Sequence, residues 1–430
     1  MSLRYRVKNL VCESGERLPL LLDGTTGAPL FEPTLFVLTE LRALNRASAT
    51  LAQATRSIMV CKLVLDHLDV DLSARFAEGK VLDLGEIEAL CKLSALSQEA
   101  LDGLPPYGDE TSLLPAKVPS LEQVRMRSAG RAALPTVSVE TAGIRLMYIR
   151  DYIAWLARRW LLRLNPRHPT YLPLQATSRL VVESLSERVQ SSARRNKVAL
   201  PQGMASADIA RMLDVIAPDS PENPWKGAHV RTRNQLIFHW LLGLGLRKSE
   251  LLIIRLEDVN LRSNEVLIAR RADDPEEPRS DAPNAKTFDR LLVLGDELAA
   301  LTRAYIHGAR RNVKNSSRYP HLILATGTGR PLSKSALNKL FVELRNKVAG
   351  LPEELTPHVL RHNWNDSFSE LMDKHKVPVE EEEKMRKQQM GWSDRSKMAA
   401  VYTKRHVKRK SDEASLELQS KMLPPRASEE

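Results

Sequence analysis

Cysteine is scarce in this chain of 430 residues. Only Cys12, Cys61 and Cys91 occur, far apart, and no Cys-x-x-Cys pair is formed. That pattern suggests neither a zinc ribbon nor a disulfide framework, and a reducing compartment fits it. Long apolar runs are also missing. No stretch approaches about 18 uncharged apolar residues, the length of a membrane span, so no membrane partner is expected. The opening "MSLRYRVKNLVCESGERLP" has no apolar core of signal-peptide length, and a cytoplasmic setting is the default expectation. No internal repeat of about 20–50 residues stands out.

What the chain does have is a 43% apolar fraction, enough for real cores, and a length suited to two or three domains. It also carries 64 Lys and Arg against 53 Asp and Glu, a net charge of +11. Such an excess favours a polyanionic partner, nucleic acid first. Ribosomal, membrane-surface and many ordinary basic proteins share that balance.

Residues 1–40 read as a strand-rich arm or extension. "YRVKNLV" and "RLPLLLD" are strand-like, and "DGTTGAP" is turn chemistry. From about Pro33 the pattern turns helical, and residues 41–190 read as a helical domain. "LFVLTELRALNRASATLAQATRSIMVCKLVLDHL" carries apolar residues at three- and four-residue spacing. "VSVETAGIRLMYIRDYIAWLARRWLLRL" reads as a long amphipathic helix with arginines on its polar side. A polar, basic linker ends near Gly203, and a second domain covers residues 200–410. Residues 411–430 read as one short helix and a frayed tail. The expected fold class is mainly α with a small antiparallel β-sheet.

The chemistry-bearing residues cluster in the second half. In "HWLLGLGLRKSELLIIRL" the glycines suit a helix stop, and a new helix opens beside Arg247, with Glu250 three residues on. An ordinary surface Arg–Glu pair would look the same. "DVNLRSNEVLIARR" and "FDRLLVLGDEL" read as strands joined by the polar loop "ADDPEEPRSDAPNAKT", which ends at Lys286. A loop lysine is usually solvated, but one on a mobile hairpin can reach a phosphodiester. In "LTPHVLRHNWNDSF", Thr356 suits a helix N-cap and Pro357 the first helical position. His358, Arg361 and His362 then share one face of the helix start, a donor cluster suited to a phosphate. His358 and His362 also have a zinc-ligand spacing. Val359 stands where a His-Glu-x-x-His peptidase needs its glutamate, so no metal is expected. Further on come Gly391, Trp392 and, in "MAAVYTKRHVKRK", Tyr402.

An Arg with Glu three residues on, a hairpin Lys, His-x-x-Arg-His, Gly-Trp and then Tyr, in that order, resembles the tyrosine recombinase (phage integrase) family. The resemblance covers about Met204 to Lys410. It implies a helical core-binding domain followed by a mixed α/β catalytic domain. Arg247 would be the first catalytic arginine and Glu250 its buttress. Lys286 would be the hairpin lysine, His358 and Arg361 the His-x-x-Arg pair, and Tyr402 the nucleophile, with His362 in support. Trp392 departs from the commonest pattern, Leu-Gly-His, although some members, including the yeast plasmid recombinases, carry tryptophan there. An indole offers only an N–H donor and cannot shuttle a proton.

The resemblance implies a DNA strand-exchange reaction through a 3′-phosphotyrosyl bond, for the integration, excision or transposition of a mobile element. It needs no cofactor. It also implies duplex DNA as partner, a homotetramer in the synaptic complex, and accessory recombinases or DNA-bending proteins as further candidates. Arg158, Arg159 and Arg163 would meet DNA phosphates from the N-terminal half, and Lys404, Arg405, Lys408 and Arg409 from beside Tyr402. Residues 411–430 would supply a protomer-exchange helix. The implied setting is bacterial cytoplasm, with the protein on the nucleoid. Two alternatives stay open at this point: a catalytically inactive DNA-binding protein of the same fold, and a relaxing enzyme of the type IB topoisomerase kind.

Overall fold

The computed structural model describes residues 4–104, 134–189, 203–396, 398–399, 411–412, 414–419 and 421. The chain divides into two compact units, Met1–Arg195 and Asn196–Glu430. No described helix is long and apolar enough to cross a membrane.

The first unit opens with an antiparallel hairpin of β1 (Tyr5–Val11) and β2 (Arg17–Asp23), in the register Tyr5↔Asp23 to Val11↔Arg17. The Asp23 carboxylate accepts from the Thr25 and Thr26 amides and shapes the turn that follows β2. Strand alternation buries Leu21 in the core of the helices that follow. The Tyr5 hydroxyl donates to Asp66 at 2.7 Å, on the helix Ser48–His67. The hairpin is therefore built into this unit. The long helix Val139–Leu161 is capped by the Ser138 hydroxyl, which accepts from the Thr141 amide. Its buried stripe of Leu146, Ile149 and Ile153 packs on the Ser48–His67 helix at the spacing an amphipathic helix requires. The helix Tyr171–Arg188 packs against it in turn.

The second unit is a helical body carrying one small sheet. The sheet has the order β3 (Val259–Asn260), β4 (Glu265–Ile268), β5 (Arg290–Val293), all antiparallel. Period-two alternation sends Val266, Ile268, Arg290 and Leu292 inward and leaves Leu291 and Val293 exposed. The helix Ala228–Gly243 supplies Leu236, Ile237, Trp240 and Leu241 to the core, and the Trp240 indole donates to Thr302.

Two further helices of this unit are joined to each other. Pro357–Lys374 starts as its sequence suggests, with the Thr356 hydroxyl accepting from the Val359 amide and proline in the first turn. Val379–Met390 is locked to it by Arg386, which is fully buried and donates to the Asn365 carbonyl and to Ser369 and Glu382. Residues 414–419 are helical.

The loop between β4 and β5 reads in sequence as long and polar. The structure stitches it down. Arg271 pairs with Asp258 at 2.6 Å, and Arg255 pairs with Asp274 and Glu276. Arg279 pairs with Glu277 at 2.6 Å and donates to the Leu332 and Leu252 carbonyls. His321 meets Glu277 at 3.1 Å. Burial would raise the Glu277 pKa, but the hydrogen bonds from Arg279 and His321 hold it well below the usual carboxylate range.

Candidate active site

The helix Ala228–Gly243 ends in a turn at Gly245, whose φ of +60° suits glycine and whose missing Cβ leaves room for the Trp364 ring. The turn delivers Arg247 as the cap of the short helix Lys248–Ile253. Glu250 lies one turn on and is fully buried. Its carboxylate accepts from four donors: the Arg247 amide at 2.9 Å, the Arg247 guanidinium at 3.0 Å, the Thr287 hydroxyl at 2.8 Å and the Arg290 guanidinium at 3.0 Å. Arg361 lies 3.8 Å from the same carboxylate and donates to the Gly245 carbonyl. Burial alone would raise the Glu250 pKa. Arg290, Arg361 and the Arg247 amide outweigh it and hold the pKa at about 2. A fixed anion thus orients three guanidinium groups.

Arg247, Lys286, His358 and Arg361 all line one pocket of about 600 Å³, with Phe341 and Val342 contributing apolar wall. Arg361 is only 1% exposed and Arg247 half-buried, whereas Lys286 and His358 are exposed. The ring is only partly covered, and that partial burial, followed by the nearby Arg361 and Arg247 charges, pushes the His358 pKa below its ordinary value, so the imidazole is neutral at pH 7. His362 is buried beside it, with ring centroids 4.4 Å apart.

Trp392 is 8% exposed and packs with Met390, Ala399 and Trp364, its ring 5.5 Å from the Arg361 guanidinium. The chain reaches it through Gly391, at a φ of +65°. A Cβ on Gly391 would sit 2.8 Å from the Phe288 carbonyl oxygen, and the Gly391 carbonyl accepts from the Phe288 amide at 2.9 Å. The turn that delivers Trp392 is thereby joined to the residues following Lys286.

Tyr402, Lys404, Arg405, Lys408 and Arg409 lie outside the described residues. In the first unit, Arg158 and Arg163 are exposed on or just past the long helix. Arg159 has a different setting. It stacks on Phe31 and Trp155, at 5.3 and 5.6 Å, and pairs with Glu32, so it is engaged inside its own unit. Among the described residues, no group of three or more His, Cys, Asp or Glu side chains could hold a metal ion.

Thr287 and Arg290 escape the sequence reading. A signal for Arg290 exists in the alternation of β5, where a charged residue takes an inward position opposite Ile268. A buried guanidinium of that kind requires a carboxylate partner.

Residues 204–409 match the model of the phage integrase family. The tyrosine recombinase XerD of Staphylococcus saprophyticus is 30% identical over 157 residues, 36% of this chain and 47% of the relative. XerD of Staphylococcus aureus is 26% identical over 159 residues, with the same coverage. The chain spans about half the length of the curated relatives it matches. Among solved structures, the Tn1549 transposon integrase in complex with circular intermediate DNA is 16% identical, covering 82% of this chain and 98% of that one, with a TM-score of 0.42. The XerA recombinase is 15% identical, covering 92% and 99%, with a TM-score of 0.36.

Proposed function

We propose that the protein is a site-specific DNA recombinase that cuts and rejoins strands through a 3′-phosphotyrosyl intermediate, in the integration, excision or transposition of a mobile element. The observation that carries this reading is the convergence of Arg247, Lys286, His358 and Arg361 on one pocket, with both arginines beside one buried carboxylate. The match of residues 204–409 to the phage integrase family supports it.

In this reading the Tyr402 phenolic oxygen attacks the phosphorus of a DNA phosphodiester. The P–O5′ bond breaks and the phosphate stays on Tyr402. Arg247 and Arg361 hold the non-bridging oxygens, where charge accumulates in the transition state. The neutral His358 accepts the Tyr402 proton, and Lys286 donates one to the leaving O5′. Trp392 packs under Arg361 and takes no part in proton transfer. Attack by a second DNA end reverses the step, so the bond energy is kept and no cofactor enters.

Duplex DNA is then the partner, with Arg158 and Arg163 meeting its backbone and Lys404, Arg405, Lys408 and Arg409 flanking the nucleophile. Binding through such contacts weakens steeply with salt. Four copies would form the synaptic complex, with residues 411–430 docking on a neighbour and accessory recombinases or DNA-bending proteins as further partners. The setting is the bacterial cytoplasm, on the nucleoid.

The test is a nicked duplex carrying the sequences that flank this reading frame in its genome, which traps the covalent adduct. Wild type should form the adduct and Tyr402→Phe should not. Adduct formation by Tyr402→Phe would reject the nucleophile. Tight binding without any adduct from wild type would favour a DNA-binding protein instead.

A further inference from the structure

Lys286 is an exposed residue between two buried neighbours, Ala285 and Thr287. On its C-terminal side the chain is held at three points. Thr287 and Arg290 bind Glu250, Arg290 also donates to the Gln389 carbonyl at 2.8 Å, and the Phe288 amide donates to the Gly391 carbonyl. On its N-terminal side the most deeply buried hold is the Glu277–Arg279 pair. Arg279 is buried and spans two carbonyls, Leu252 at 3.0 Å and Leu332 at 2.6 Å. Leu252 lies on the helix that carries Glu250, and Leu332 precedes the helix Lys334–Lys347, which supplies Phe341 and Val342 to the pocket wall. Lys334 adds a weaker hold on the Ala282 carbonyl at 3.4 Å.

We infer that the buried Glu277–Arg279 pair is a positioning element for Lys286, holding the backbone that carries its side chain at the pocket rim by tying its loop to two of the elements that line the pocket. This rests on the recombinase reading, in which Lys286 protonates the leaving O5′. The physical argument is one of entropy and register. A lysine side chain has four rotatable bonds, and a free loop over residues 269–289 would add backbone freedom to them. Tying the loop on both sides of Lys286 leaves only the side chain to be ordered. Displacement of a reacting group by about 1 Å can lower a rate by about a hundredfold.

The test separates positioning of the proton donor from general disruption. In a nicked duplex with sulfur in place of the bridging O5′, a thiolate leaves, and because a thiol is far more acidic than an alcohol it needs no proton donor. Full-length wild type, Lys286→Ala, the double variant Glu277→Gln/Arg279→Met and the milder Arg279→Lys are compared on oxygen and sulfur substrates. The double variant removes both charges, so neither is left buried alone. Arg279→Lys keeps the ion pair but cannot span both carbonyls.

The expected result is that Lys286→Ala and the double variant cleave the oxygen substrate slower by about tenfold or more while cleaving the sulfur substrate nearly as fast as wild type. Arg279→Lys should show a smaller split of the same sign. Equal losses on both substrates would overturn the inference, because the pair would then serve only the fold. Unchanged cleavage of the oxygen substrate by the loop variants, with Lys286→Ala impaired, would overturn it too. If wild type forms no adduct with either substrate, the recombinase reading fails first, and the inference with it.

Discussion

Replacing Glu250 by glutamine keeps the shape of the side chain and removes the charge that faces three arginines. Four donors meet that carboxylate, and an amide offers only one acceptor oxygen. Donors on the other side would face an NH2 group. Removing one partner of a buried ion pair costs about 3–5 kcal/mol. A second route gives the same scale. The Glu250 pKa falls from 4.5 to about 2 on folding, which at about 1.4 kcal/mol per unit is about 3 kcal/mol.

The folded pKa is the lower one, so this stabilisation is complete above the unfolded value and lost as pH falls from there toward 2. Wild type should lose about 1 kcal/mol from this group at about pH 4 and about 2 kcal/mol at about pH 3. Glu250→Gln does not titrate at this position. Urea unfolding of both full-length proteins, read by tryptophan fluorescence, should show a gap of about 3 kcal/mol at neutral pH that narrows in acid. A gap below about 1 kcal/mol at neutral pH, or one that does not change between neutral pH and about pH 4, would refute the view that this carboxylate organises the site.

Three other outcomes are expected. Gly391→Ala places a Cβ 2.8 Å from the Phe288 carbonyl at a positive φ, and should destabilise the second unit by about 1–3 kcal/mol in the same urea measurement. Thr356→Ala removes the cap of the helix bearing His358 and Arg361 and should cost about 1 kcal/mol, with adduct formation slowed at the helix start. Because His358 is depressed below its ordinary value, adduct formation should hold level as pH falls to about 6.5 and decline only below that. A decline already centred above about 6.5 would show that another group titrates.

Local pattern carried much of the fold. The hairpin, the Thr356–Pro357 helix start and the strands around Val266 and Leu292 each depend on neighbours a few residues away, which is the range that periodicity and capping report. The positions of Arg247, Lys286, His358 and Arg361 around one pocket followed from their order in a known family. What sequence could not supply were the partners. The loop from Asp273 to Ala285 is acidic, polar and proline-bearing, the composition of a solvated segment. It is buried in part because carbonyls at Leu252 and Leu332 and the ring of His321 meet it from elsewhere in the fold. Arg159 likewise reads as a free basic residue until Phe31, Trp155 and Glu32 close on it.

The bond between the Phe288 amide and the Gly391 carbonyl involves no side chain at all. Phe288 is exposed, so drift at that position leaves the join intact, and Trp392 can be exchanged without touching it. Gly391 cannot vary in the same way. The direction in which the backbone leaves the helix Val379–Met390 is therefore set by the main chain and one glycine, whatever side chain stands at Phe288.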